Sequence, residues 1–427
     1  MVAGRAILAA ALFSFAIVVP AGARAAEVEA PLERSWWREA LELPENAVDV
    51  FAWPVKRGLI WAERVNLPER VLDTLYFNDE RTAGWFPNAS FGGEIQSALG
   101  VRVFHDDLWG GGEEIGLSTL LAIGDLEESR INFRFYAPTL GGRAAYLLTD
   151  VLYSEDNDED LFVRIAPDGA PRLGPRTRES DDTTYELDLV RTRFEGGVRP
   201  IGPVKLGFSF EPLFGDVEEG GGAELPIPAT VDGFGGPAVL LGGVSLVEWD
   251  ARDSTVRPRA GWYARAEAGS WTGARGRTTD GRDYRYLRHR IDLRRYQPTF
   301  RHDRVVVIRV WLDRVETYDG GAVPFWDLPV LDEDHALRGF DRNRFRDKGA
   351  LLFNVEYRYP IWDTWDGFVF LDEGQVFRHY SDARLEGFEW SAGGGVLFLT
   401  EKSFLLRVQY ATSEEDRSFR VVLEQAF

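Results

Sequence analysis

The sequence predicts an all-β fold: a 16-stranded antiparallel transmembrane β-barrel behind a short helical N-terminal segment. Three observations carry this. Apolar and charged residues alternate over most of the 427 residues, which is the period of a strand with one greasy and one polar face. Aromatic residues make up 13% of the chain, with 14 Trp, and they gather toward strand ends as interfacial girdles do. The last alternating stretch runs out on a terminal Phe427.

At the N-terminus, Arg5 supplies a positive n-region and Ile7 to Val19 an apolar run. Pro20 and Gly22 break that run, and Ala23-Arg24-Ala25 is a small-x-small cleavage site. Residues 1–25 therefore read as a signal peptide, too short to span a bilayer comfortably. Removing it takes away Arg5 and Arg24 and shifts the formal charge from −20 to −22. Residues 26–85 form the next region. Pro44, Pro54 and Pro68 each open a short helical pattern, and Val71, Leu72, Leu75 and Tyr76 share one face of the third, as proline at the first helical position and amphipathic spacing imply. This region reads as a periplasmic cap or a plug for the barrel.

Residues 86–427 read as the barrel. Strands are expected at 86–94, 97–106, 113–123, 128–137, 142–154, 183–194, 202–213, 238–249, 260–271, 283–297, 302–315, 349–360, 365–378, 387–399, 402–411 and 417–427. The number is even, as a single-chain antiparallel barrel with both termini on one side requires. Leu351, Phe353, Val355, Tyr357 and Tyr359 alternate with Leu352, Asn354, Glu356 and Arg358; in the last strand Phe419, Val421, Leu423 and Phe427 share one face. Opposed charges on the polar faces suit a wet lumen. The segment 161–165 could be a further strand but is placed in the long 155–182 connection. Long connections at 155–182, 214–237 and 316–348 alternate with short ones, so long loops should face outside and short turns the periplasm.

The acidic balance argues against nucleic acid as a partner. The chain has no cysteine, so disulfides and a lipoprotein anchor are excluded. The five histidines, His105, His289, His302, His335 and His379, are scattered. None sits in a nucleophile or metal-ligand motif, so no enzymatic activity, cofactor or metal is expected.

Several segments resemble the BamA/TamA superfamily of outer-membrane barrels, also called the bacterial surface antigen family. Trp249-Asp250-Ala251-Arg252-Asp253 with Pro258 and Gly261 is similar to the family's Asp-x-Arg-Asp…Pro-x-x-Gly turn. Leu337-Arg338-Gly339-Phe340 resembles the signature of the long sixth extracellular loop. Asn354 to Pro360 and Phe370-Leu371-Asp372-Glu373-Gly374 resemble the two strands that follow, and Asp107 to Gly112 an earlier turn. The resemblance implies that the sixth loop folds back into the lumen, pairing Arg338 with Asp372 beside Phe370. Period two puts Phe370, Asp372 and Gly374 on one face, and Gly339 would relieve the backbone at the loop tip. Relatives that insert or export proteins carry POTRA domains ahead of the barrel; residues 26–85 are too few for one, so the resemblance is to a form without them.

The resemblance implies a bacterial outer-membrane location and assistance to the insertion or translocation of protein or lipid. Outer-membrane lipids and lipopolysaccharide would be partners, along with barrel-assembly or periplasmic proteins. The seam between first and last strands, weakened by Gly92-Gly93, would be where such an activity acts. The alternative is a passive pore or structural barrel whose lumen charges, Arg288, Arg290 and Arg294 among them, set its ion preference.

Overall fold

A computed structural model describes residues 75–91, 97–122, 128–165, 171–174, 177, 183–219, 231–234, 236–300, 303–332, 337–362, 365–384, 387–399 and 404–425. The signal-peptide region, most of the helical segment (Pro44, Pro54, Pro68, Val71 and Leu72 included), Gly92, Gly93, His302, His335 and Phe427 lie outside these residues.

In chain order the strands are β1 (Ala83–Phe91), β2 (Ala98–His105), β3 (Glu114–Ala122), β4 (Glu128–Ala137), β5 (Ala145–Asp160), β6 (Arg164–Ile165), β7 (Pro171–Arg172), β8 (Thr184–Ile201), β9 (Val204–Glu219), β10 (Ala238–Asp250), β11 (Gly261–Arg275), β12 (Arg285–Pro298), β13 (Val305–Thr317), β14 (Val330–Leu331), β15 (Phe345–Arg346), β16 (Gly349–Trp362), β17 (Trp365–Phe377), β18 (Glu389–Leu399), β19 (Phe404–Thr412) and β20 (Arg417–Gln425). Sixteen of them close into one antiparallel barrel. The pairs β6–β7 and β14–β15 are separate two-stranded ribbons. Segment 161–165 thus contributes to a loop ribbon and not to the wall. No described helix is long and apolar enough to cross a membrane; the crossing elements are strands, whose backbone groups all find partners once the sheet is closed.

The barrel turns inside out relative to a soluble sandwich, which keeps its apolar face within. Leu206, Phe208, Phe210, Val247, Ile291 and Phe419 are exposed on the outer face. Their neighbours on the opposite face, Ser209, Glu211, Glu248 and Ser418, are buried within. An exposed apolar surface of this extent is stable only against lipid.

Most strand boundaries fall where the alternation puts them. The main differences are extensions. β5 runs on to Asp160 and pairs there with β8, Glu159 opposite Tyr185. Five of the seven residues from Ser154 to Asp160 are acidic, so the stretch lacks the alternation of a membrane-facing strand; its inward residues Ser154 and Asp156 are buried. β1 begins at Ala83, three residues before the expected barrel boundary, and Tyr76 bridges to Gly84. Leu75 packs there with Phe86 and Phe104.

At the long-loop end an aromatic cluster occupies the lumen. The loop 318–348 between β13 and β16 folds inward, and its Phe325 and Trp326 pack with Tyr185, Leu240, Trp271 and Tyr286 from the wall. Phe325 stacks on Phe234 from the β9–β10 loop at 4.7 Å between ring centres. Gly215 makes room for Trp326, since a Cβ there would lie 2.7 Å from the indole. Strand alternation reports which face points inward, not what a loop later brings against it.

Candidate functional site

β17 is the strand onto which the lumen contents dock. Period two aims Asp366, Phe368, Phe370 and Asp372 inward, and all four are buried. Arg338 descends from the β13–β16 loop onto Asp372. Its Nε donates to Oδ2 and its Nη2 to Oδ1, both at 2.7 Å. Asp372 is fully buried (0% exposed), so its charge depends on this two-pronged partner. Asn354 Nδ2 of β16 donates to the same carboxylate at 2.7 Å. The remaining Arg338 edge donates from Nη1 to Glu356 at 2.9 Å, and the guanidinium carbon lies 3.4 Å from the centre of the Phe370 ring, a cation–π contact in a dry setting.

Gly339, next in the loop, has φ +82° and lies close to Ala411 of β19, a backbone conformation that any L side chain would strain. Phe340 is buried and meets Phe345 edge-on at 5.1 Å. Gly374 leaves room for Leu331 and Leu337.

A second anchor holds the same loop. Asp327, 2% exposed, accepts from Arg191 of β8 and Arg288 of β12, both at 3.0 Å, and from the Tyr286 hydroxyl. Burial pushes its carboxyl up, but Arg288, Arg191 and Tyr286 outweigh burial and hold it at about 2. Since the docked value is depressed below the ordinary value near 4, the stabilisation is complete above about pH 4. It fades as pH falls toward 2, by roughly 2 kcal/mol in all. Protease nicking within 318–348 should stay slow from pH 7 to 4 and rise below that. A rise already at pH 6 would contradict the assignment.

The loop tip ties the two flanks of the barrel closure together. Arg342 donates to Asp156 at 2.7 Å and Glu159 at 3.1 Å on β5, and lies 3.3 Å from Glu128 on β4. Two residues on, Arg344 (1% exposed) grips Glu415 in the β19–β20 turn through Nε and Nη2, both at 2.7 Å. Between those flanks β1 pairs with β20. Among the described residues that pairing covers Ala89–Phe91 against Val421–Leu423; β1 pairs with β2 on its other side, and β20 with β19. Phe419 faces outward, while Val421 and Leu423 sit in the seam pairing itself.

The β10–β11 turn closes on itself. Asp250 accepts from Arg252 Nε at 2.8 Å and Nη2 at 2.7 Å. Asp253 accepts from the backbone N–H groups of Arg259 at 2.9 Å and Ala260 at 3.1 Å. Pro258 is buried. Gly261 has φ +114°, with the carbonyl of Ala251 2.1 Å from where a Cβ would stand. The turn also reaches β17, although β12, β13 and β16 intervene. Val256 packs on the cluster of Phe368, Phe370, Leu397 and Ala411, and Arg257 Nε donates to Asp366 at 2.9 Å, with Nη2 on the other oxygen. Replacing Arg257 with Ala leaves buried Asp366 without this fork and should cost about 1–3 kcal/mol of barrel stability. A heat-modifiability midpoint unchanged from wild type would show the contact to be idle.

Sequence pattern singled out Arg338, Gly339, Phe340, Phe370, Asp372 and Gly374, and the fold brings them together. It keeps Asp250, Arg252, Asp253, Pro258 and Gly261 in a separate turn and the terminal-strand residues at the seam. Asp327, Arg342, Arg344 and the Arg257–Asp366 pair went unseen. Their partners lie from 39 to 186 residues away, beyond the reach of local periodicity. Glu356 was visible as an inward charge by alternation, but not its sharing among Arg338, Arg358 and Arg407. His105 accepts from the backbone of Asp107 at 3.2 Å, a local turn contact.

A closed sixteen-stranded barrel, apolar outside, with an inward-folded loop gripped by its own wall, defines a transmembrane β-barrel of the outer-membrane kind. The chain belongs to the Omp85 superfamily, whose domain matches residues 107–427. Its fold is similar to that of Haemophilus ducreyi BamA lacking POTRA domains 1–3, with 14% identity, TM-score 0.56, and 80% of this chain and 70% of that one covered. It is also similar to CdiB from Acinetobacter baumannii (11% identity, TM-score 0.52, 80% and 60% covered) and CdiB from Escherichia coli (8%, 0.53, 79% and 62%). The chain thus spans about three-fifths of the CdiB chains. At these identities the likeness is one of fold. No curated protein sequence matches the chain.

Proposed function

We propose that this chain resides in a bacterial outer membrane, with lipid and lipopolysaccharide against its apolar face, and assists protein insertion or translocation by parting the β1–β20 seam. The observation that carries this is that one loop reaches across the seam, with Arg342 held on one flank and Arg344 on the other. Parting the seam would expose unpaired backbone, a template for an incoming strand. Release of the loop tip would be the step that allows it. Barrel-assembly or periplasmic proteins would deliver the client. No enzymatic step is assigned to the chain.

Ser90 and Val422 are direct partners across the seam, and partner Cα atoms in antiparallel strands lie about 4.5–5.5 Å apart, within disulfide range. Cells relying on a Ser90→Cys/Val422→Cys variant should lose growth or outer-membrane barrel assembly under oxidising conditions and recover with reductant. Equal growth and assembly in both states would defeat the proposal. The passive-pore alternative predicts steady open conductance in a planar bilayer. The loop packed in the lumen favours a closed state with rare openings.

A further inference from the structure

The inner wall carries a charge opposite in sign to that of the chain. A cavity of about 930 Å³ lies between the docked loop and the wall, lined by twelve Arg and six Asp or Glu, although the whole chain has a formal charge of −20. The excess is concentrated on β12, β13, β16 and β19. Arg294 and Arg309 are direct cross-strand partners, an arrangement that repels. They share one carboxylate. Asp292 accepts from Arg294 at 3.0 and 2.6 Å and from Arg309 at 3.1 and 2.9 Å. No second carboxylate serves either guanidinium among the described residues. Beside them, Glu356 takes Arg358 at 2.7 Å and Arg407 at 3.3 Å while also serving Arg338.

The four side chains, Arg294, Arg309, Arg358 and Arg407, retain between 23% and 32% exposure, and all four line the cavity. They therefore present guanidinium edges to it that their two shared carboxylates do not fill. A guanidinium offers five donors and no acceptor. A walled cleft with an excess of one sign concentrates counter-ions, and planar forks of this kind match oxyanions. The volume is that of a small-molecule site.

We propose that the lumen cavity binds a multiply charged oxyanion of the phosphate class, held by Arg294 and Arg309 with Arg358 and Arg407. The site is independent of whether the seam opens. Its ligand could be a soluble phosphate ester or the phosphate head of a lipid, which share the chemistry that these arginines read.

The test is calorimetric titration of the full chain, folded in a neutral detergent, with sodium pyrophosphate against sodium chloride at matched ionic strength. One saturable site is expected for pyrophosphate and none for chloride. Arg294→Gln leaves Asp292 paired with Arg309, so the barrel should still show its folded heat-modifiable band; affinity should fall at least tenfold. Arg294→Lys should recover part of it. Arg277→Gln, at an exposed loop position, should bind as wild type. Displacement of pyrophosphate by monomeric dihexanoyl phosphatidic acid would assign the site to lipid heads, and failure to displace would assign it to soluble phosphates. Absence of saturable binding, equal affinity in Arg294→Gln, or an equal loss in Arg277→Gln would overturn the site.

Discussion

Replacing Arg338 with Ala is expected to release the β13–β16 loop from the lumen. Among the described residues, the substitution strips Asp372, fully buried, of its forked partner and leaves Asn354 as its remaining side-chain donor. Glu356 keeps Arg358 and Arg407, so the loss falls mainly on Asp372. Breaking a buried ion pair by removing one member costs about 3–5 kcal/mol, because the other charge stays buried. Loss of the contact with Phe370 adds to this. The docked loop should therefore open about two to four orders of magnitude more often. Limited proteolysis within 318–348 reads that directly, and the heat-modifiability midpoint should fall with it. Arg338→Lys supplies a charge but not the fork and should lie between. Wild-type proteolysis in Arg338→Ala would mean that the loop is held from elsewhere.

Replacing Asp327 with Ala should weaken the same docking by about 2–4 kcal/mol. The Tyr286 hydroxyl, 0% exposed as a residue, and Arg191 lose their acceptor. Arg288 does not, since it keeps Asp313 at 2.9 Å, and for that reason the effect is smaller than at Arg338. The two anchors hold one loop, so their effects should not add: once either is lost the loop is largely undocked, and the second substitution has less left to disrupt. A double variant whose loss equals the sum of the singles would show two independent docking events. The acid dependence of nicking should also disappear in Asp327→Ala, because the group that titrates is gone.

The wall of this barrel was legible in its sequence because a membrane strand must alternate, and alternation survives without knowledge of partners. The inner face of β17 could be read for the same reason. Glycines gave a weaker signal. The run Gly393-Gly394-Gly395 in β18 carries no pattern, yet a Cβ at Gly393 would lie 2.6 Å from the Phe370 ring. Gly393 and Gly395 are small because the aromatic inner face of β17 needs the space; Gly394 lies instead against the backbone of Phe368 and the outward Val369. The anchor at Asp327 could not be read at all. It sits in the short turn Phe325–Asp327, where no periodicity operates, and its partners come from β8 and β12. Shared carboxylates such as Asp292 and Glu356 are likewise invisible until the strands are set side by side, since the sharing is a property of register.

The most direct measurement is the folding of a urea-denatured outer-membrane barrel into liposomes that contain this chain with Ser90→Cys and Val422→Cys, followed by the appearance of the client's heat-modifiable band. With the seam reduced, the client should fold faster than in empty liposomes. With the seam oxidised, that acceleration should vanish, and reductant should restore it. Equal acceleration in both states, or none in either, would contradict a seam that opens to pass or template another chain.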